Sequence, residues 1–186
     1  MVGVSILPVA IHKNKLYFLF GKEKALENGI RGFSDFGGGK EDESIFEGAI
    51  REGCEELTGF LGTKKTLKER IKKAGGTYQI NFDDKYYSHI FLMDYDENLP
   101  LYYNNNHDFL WEKMNNKHLS QTKFFEKMKI EWFTTKDMKK RRNEFRPFFR
   151  EFVDRILKEV PKIRKFLKKN KTKRKRIAKN KTYKNH

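Results

Sequence analysis

Gly37-Gly38-Gly39-Lys40-Glu41-Asp42-Glu43 runs into Ser44 and then a helical stretch carrying Arg51-Glu52-Gly53-Cys54-Glu55-Glu56. The glycines form a turn ahead of the helix. A repeat of 3.6 residues per turn places Glu52, Glu55 and Glu56 at i, i+3 and i+4, on one face. Carboxylates packed that closely repel one another. The repulsion is relieved if some protonate, if water screens them, or if a cation binds between them. Hard oxygen donors select Mg²⁺ or Mn²⁺, and Mg²⁺ takes substrate phosphates as further ligands. The stretch reads as a divalent-metal site for phosphate chemistry.

The helix has its own start and stop. Ser44 followed three residues later by Glu47 matches a capping box. Ile45, Ala49, Gly53 and Leu57 recur every four residues and form the inward stripe. Gly53 within a helix costs about 1 kcal/mol relative to alanine, which predicts close approach to a sheet at that point. Gly59 is a C-cap candidate.

Upstream, residues 2–11 and 16–20 are apolar runs joined by His12-Lys13-Asn14-Lys15, a hairpin pattern, and residues 33–36 form a short strand leading into the glycines. Downstream, the spacing predicts a short helix over 67–73, strands over 77–82 and 86–95 with a turn at 83–85, and an irregular insertion over 99–116 rich in Tyr and Asn. A helix follows over 120–128, then a final strand over 129–133, a short helix over 134–140, and a helix over 144–167 with Pro147 in its first turn.

Charge is distributed unevenly. The chain has 186 residues and a formal net charge of +16, yet residues 161–186 hold 13 Lys and Arg and no acid, leaving +3 for the rest. Residues 1–168 therefore read as one domain, with 17 Phe, 8 Tyr and 2 Trp as core material, and residues 169–186 as a basic, disordered tail. A single cysteine, Cys54, excludes an internal disulfide and a cysteine-based zinc cage, and suits a reducing compartment. The apolar N-terminal stretch is too short for a membrane span and lacks the basic start of a signal peptide. The expectation is an intracellular, cytoplasmic protein without membrane contact, with nuclear import through the tail as an alternative.

Gly37, then Glu43, then Arg51-Glu52-x-x-Glu55-Glu56 resembles the Nudix box, the signature of hydrolases that cleave a nucleoside diphosphate linked to another moiety. The similarity covers 23 residues with six fixed positions. Ile130-Glu131-Trp132-Phe133 is similar to a common last strand of that fold. Three positions depart from the pattern: Gly53 stands where an aliphatic residue is usual, Thr58 where glycine is usual, and Phe36 where a proline often precedes the glycines. All the carboxylates are retained.

The resemblance implies an α/β (α+β) fold, a Nudix-type α/β/α sandwich with a mixed sheet, here with a C-terminal helix and the basic tail added. It implies that Glu52, Glu55 and Glu56 hold Mg²⁺ or Mn²⁺, with the Gly37 carbonyl as a further ligand. Arg51 would pair with Glu43 and fix the helix against the loop. Gly37, Gly38, Gly39 and Lys40 would meet the substrate phosphates. One of Glu52, Glu55 and Glu56, or a glutamate from a distant loop, would activate water. Glu112, Glu126 and Glu131 are the candidates for a base or further ligand from outside the helix, with Glu126 favoured.

Two enzymatic readings follow. One is hydrolysis of the 5′ cap of mRNA, releasing 7-methyl-GDP; the tail would contact nucleic acid without sequence preference, and Tyr102, Tyr103, Phe109 and Trp111 could stack on bases. The other is a small-molecule pyrophosphatase acting on a nucleotide, nucleotide sugar or diphosphoinositol, the tail then serving location or solubility. A third reading, an RNA-binding module that has lost catalysis, is disfavoured by the intact carboxylates.

Overall fold

The computed structural model describes residues 2–23, 32–114 and 126–182, the stretch 171–182 by its backbone alone. β1 (Gly3–His12) and β2 (Lys15–Glu23) form the expected hairpin. Lys13 and Asn14 both have positive φ, 44° and 60°, the conformation of a two-residue turn whose twist matches the strands. Residues 33–39 divide into β3 (Phe33–Ser34) and β4 (Phe36–Gly39), with Asp35 between them turned inward, so the glycines expected to form a turn are instead strand paired with β1. Next come α1 (Ile45–Glu56), α2 (Lys64–Ala74), β5 (Thr77–Phe82) and β6 (Tyr86–Leu92). The chain continues through α3 (Leu99–Lys113), β7 (Lys127–Thr134), α4 (Thr135–Lys140), a 3₁₀ turn (Arg142–Glu144) and α5 (Phe149–Thr182).

The strands form one mixed sheet in the order β3-β2-β1-β6-β5, with β4 added to β1 and β7 to β2. β1 is its axis. Its first half pairs antiparallel with β4 and parallel with β6, and its second half pairs antiparallel with β2. Alternation along β1 sends Val4 and Ile6 to one face and Leu7 and Val9 to the other. The first face is covered by Ala49, Ile50 and Leu57 of α1, Leu67 and Ile71 of α2, and Tyr103 of α3. Phe149, Phe152, Val153 and Ile156 of α5 cover the second. This is an α/β/α sandwich with a mixed sheet and a long C-terminal helix.

Three elements differ from the sequence reading. The insertion over 99–116 is largely the helix α3: Pro100 occupies its first turn, and Tyr103 and His107, one turn apart, face inward. Its asparagines, poor helix formers, hid that pattern. The helix expected over 120–128 falls mostly outside the described residues, but Lys127 and Met128 belong to β7. The last helix starts at Phe149, because Pro147 holds the residue before it out of the helical region. α5 then stays helical to Thr182, through the stretch whose composition predicts disorder. Lys and Arg are good helix formers, and extending an anchored helix needs no new nucleus. Among the described residues no helix is long and apolar enough to cross a membrane.

Candidate active site

α1 is placed by contacts at both ends. Ser44 caps it by accepting from the Glu47 amide at 3.2 Å; the Glu47 carboxylate, rather than closing a capping box, pairs with Lys68 of α2. In the middle, a Cβ on Gly53 would lie 2.2 Å from Ile6 Cδ1. The glycine lets the helix lie directly on β1, as its presence in a helix predicted. This contact sets the height of the next turn, which carries Glu52, Glu55 and Glu56, above the glycine strand.

Arg51 organises the outer side of that turn. Its Nη1 donates to Glu52 at 2.7 Å and to Glu55 at 3.3 Å, and its Nη2 donates to the Gly39 carbonyl at 2.8 Å and to Glu43 at 3.1 Å. The expected Arg51–Glu43 pair is present, and the same guanidinium also spans two of the three clustered carboxylates. Burial works against its charge, but Glu43 and Glu52 outweigh that and hold the guanidinium proton more tightly than usual. The hydrogen bond from Arg51 keeps Glu43 below the ordinary carboxylate range. Gly38 leaves room for this arrangement, since a Cβ there would lie 2.5 Å from Glu52 Oε2.

Glu56 has a different environment. It is buried, and its Oε2 accepts from the Gly37 amide at 2.7 Å while its Oε1 lies 3.0 Å from Lys127 Nζ. Lys127, fully buried, also pairs with Glu23 and donates to Ser34 Oγ at 2.8 Å. Arg146 closes the far end by donating to Glu23 at 2.9 Å. Burial alone would strip the Lys127 proton, but Glu56 and Glu23 outweigh it and keep the ammonium charged. Burial pushes the Glu56 carboxyl well above the ordinary carboxylate range, against the pull of Lys127. Two N–H donors aimed at its two oxygens are what a carboxylate satisfies.

Thus the repulsion foreseen among three carboxylates is met by cations of the chain itself. Among the described residues, no group of three or more His, Cys, Asp and Glu side chains stands arranged around a common centre. Glu52 and Glu55 offer hard oxygens on one side of the helix, at the glycine strand, and fit Mg²⁺ or Mn²⁺ by donor type.

The remaining candidates are dispersed. Glu126 lies one residue before β7, near enough for its charge to raise the Glu56 carboxyl. Lys40 Nζ donates to the Glu41 carbonyl at 2.7 Å, in an exposed position. Glu131 pairs with Arg141 and Lys129, and Glu112 lies exposed on α3. Among the aromatics, Tyr103 is buried and donates to the Lys127 carbonyl at 2.8 Å, whereas Tyr102 and Phe109 are exposed. Cys54 is half-buried, its thiol pushed up by burial, which argues against a nucleophile.

The sequence reading missed Lys127, Glu23 and Asp35. Fully buried Asp35 accepts from Ser5, Tyr86 and Ser88 at 2.5, 2.5 and 2.8 Å. Burial raises its carboxyl despite those three hydroxyls. It borders a cavity of about 290 Å³ that is also lined by Gly37, Gly38, Tyr86, Arg146 and Phe148. The Arg146 guanidinium lies 4.7 Å from the ring centre of Phe148, which remains 59% exposed.

No protein-family model matches the chain, and no curated protein matches it. Among solved structures, it is similar to a mutT/nudix family protein from Listeria innocua, at 12% identity over 87% of this chain and 94% of that one, with a TM-score of 0.44. It is also similar to the NUDIX domain of Shewanella oneidensis NrtR complexed with ADP ribose, at 12% identity over 87% of this chain and 86% of that one, with a TM-score of 0.42.

Proposed function

We propose that the chain is a metal-dependent Nudix hydrolase that cleaves the pyrophosphate bond of a nucleoside diphosphate linked to another group, with the 5′ cap of mRNA as its substrate. The observation that carries this reading is the Arg51 clamp, which holds Glu52 and Glu55 together against Gly39 at the spacing of the Nudix box. Glu52 and Glu55 would hold Mg²⁺ or Mn²⁺. When bound, the ion withdraws charge from the diphosphate and lowers the pKa of water.

The chain's own groups supply the rest. Gly37, Gly38 and Gly39 let the backbone pass close to the phosphates. Glu126, beside the inner end of α1, would take the proton of the attacking water as the bond to one phosphorus forms and the other phosphate leaves. The cavity beyond the glycines would receive the nucleoside, with the exposed ring of Phe148 available for a base to stack on. The 13 basic residues of 161–186 favour a polyanionic substrate over a small one, through counterion release.

The test is a panel of capped RNA, nucleoside triphosphates, ADP-ribose and diphosphoinositols, each with Mg²⁺ and Mn²⁺, run on the wild type and on Glu55→Gln. Capped RNA should be cleaved best, and Glu55→Gln should lower turnover by about a thousandfold with little change in melting temperature. Preferential cleavage of a small substrate would assign the small-molecule reading. A fully active Glu55→Gln would remove the metal assignment. Deleting residues 171–186, beyond the Asn170–Gly75 hydrogen bond, should weaken RNA binding and leave hydrolysis of a free dinucleotide intact.

A further inference from the structure

We propose that Lys127 takes the place of a metal ion on Glu56, so that Glu56 is a positioning residue for the glycine strand while Glu52 and Glu55 alone among the three carboxylates serve as ligands. The inference rests on the reading of Glu52 and Glu55 as a metal site, and it departs from what the spacing of the acidic residues implies for Glu56.

Both oxygens of Glu56 are engaged, one by the Lys127 ammonium and the other by the Gly37 amide. The second bond ties the helix to the first glycine of the strand. Lys127 reaches Glu56 through a passage shaped for it. A Cβ on Gly21 would lie 2.7 Å from Lys127 Cγ and 2.8 Å from its Cδ, so only glycine lets the lysine stem run over β2 at that point. The β2–β7 register shifts between Lys22 and Glu23: Lys22 pairs with Lys129 and Glu23 with Lys127, leaving Met128 as the extra residue of a bulge. The bulge turns Lys127 toward α1, onto the side where Ile130 is buried. Tyr103 of α3 then holds the Lys127 carbonyl.

The charges also close. Arg146, Glu23, Lys127 and Glu56 alternate in sign along one connected chain, two positive and two negative. A dication arriving at Glu56 would share a carboxylate with an ammonium 3.0 Å from one of its oxygens, and the Lys127 side chain is 1% exposed. Like charges that close in a water-poor setting repel strongly. Displacing Lys127 from Glu56 would leave it Glu23, which Arg146 already shares, as a charged partner, and the neutral Ser34 hydroxyl. The outer side also holds a cation, Arg51 Nη1 at 2.7 Å from Glu52, but that cation has other partners to fall back on. Arg51 keeps Glu43 and the Gly39 carbonyl as partners if it releases Glu52 and Glu55, and the Glu55 side chain is 27% exposed.

The experiment is titration of the full chain with Mn²⁺, read from the electron paramagnetic resonance of the free ion, for the wild type, Glu52→Gln, Glu55→Gln and Glu56→Gln. Loss of a ligand in Glu52→Gln or Glu55→Gln should abolish Mn²⁺ binding in the measurable range, whereas Glu56→Gln, which acts only through position, should leave binding measurable and weakened by about 10–100-fold. If Glu56→Gln folds poorly, the double variant Glu56→Gln/Lys127→Met, which removes both charges together, is titrated against the same thresholds. A folded Glu56 variant that loses Mn²⁺ as completely as Glu55→Gln overturns the inference and leaves the hydrolase reading standing. A wild type that binds no Mn²⁺ removes both.

Discussion

Glu55 and Glu56 are neighbours in the chain and occupy opposite electrostatic regimes. Glu55 belongs to an outer cluster in which one guanidinium serves four carboxylates, Glu41, Glu43, Glu52 and Glu55, all but Glu52 reaching solvent. Glu56 belongs to an inner cluster built around the buried Lys127 ammonium: side-chain exposure falls from 27% at Glu55 to 4% at Glu56 and 1% at Lys127, rising again only at the outer end with Glu23 and Arg146. In the outer cluster Arg51 has several partners and Glu55 reaches solvent, so one contact can be exchanged for another, although Arg51 and Glu52 are themselves buried. In the inner cluster Lys127 cannot be moved without stranding Glu56 in the interior. The first regime suits a site that takes up and releases a cation, and the second suits a frame that must keep its shape while that happens.

The largest effect expected from this contrast is on stability. Lys127→Met would leave Glu56 buried without its cation, and stripping one partner from a buried pair costs about 3–5 kcal/mol. Glu55→Gln, at the solvent edge, should cost less than about 1 kcal/mol. Urea unfolding of both variants measures the difference. Adding Glu56→Gln to Lys127→Met should recover part of the loss. Equal costs for the two single variants would erase the distinction between the clusters.

His89 sharpens the contrast, because it is a buried ionisable group with no carboxylate beside it. It lies in β6, with Thr77 Oγ1 3.0 Å from its Nδ1 and the Phe46 ring 5.2 Å away. Burial lowers its pKa from 6.5 to about 4. A paired buried base keeps its proton, as Lys127 does, and an unpaired one gives it up. Above pH 6.5 His89 is neutral in both folded and unfolded chains and has no effect on the balance. As pH falls from 6.5 toward 4 the unfolded chain takes up a proton that the folded chain refuses, so stability is lost over that window, by at most about 3 kcal/mol. His89→Gln should flatten the fall in unfolding free energy between pH 7 and 4.5. An unchanged slope would show that the imidazole has found a way to be charged inside.

The two clusters were also unequally legible in the sequence. Every member of the outer one lies within residues 39–55, where the end of the glycine strand, the short link to α1 and helical periodicity bring Glu43, Arg51, Glu52 and Glu55 together. The inner one joins residues 104 and 123 positions apart, Glu23 with Lys127 and Glu23 with Arg146, and no local pattern encodes such pairs. Strict alternation in β7 counted from buried Ile130 would put Lys127 on the opposite face, and the bulge at Met128 reverses that. The β1–β2 hairpin, β5, β6 and α1 were readable, because each carries a local signal, whereas their assembly into a sandwich was implied by the resemblance of the Gly37–Glu56 stretch to the Nudix box. α3 was not readable, because its asparagines obscured the spacing of Tyr103 and His107.

The C-terminus of α1 gives the smallest test. Directly after the turn that carries both clusters, Thr58 has φ of +52°, and Gly59 follows at +70°. A β-branched residue is strained in the left-handed region, by about 1–2 kcal/mol. Glycine there would remove the strain but leave the unfolded chain freer, at a cost of about 0.5–1 kcal/mol. The difference predicts that Thr58→Gly stabilises the protein by about 0.5–1 kcal/mol, a rise in melting temperature of about 1–4 °C for a chain of this size. The gain should come without any change in Mn²⁺ affinity, since the backbone of the Glu52–Glu56 turn is already fixed by Gly53 on Ile6 and by Glu56 on Gly37. A shift in affinity would mean that the end of the helix, and not the buried charge chain, sets the height of the carboxylates.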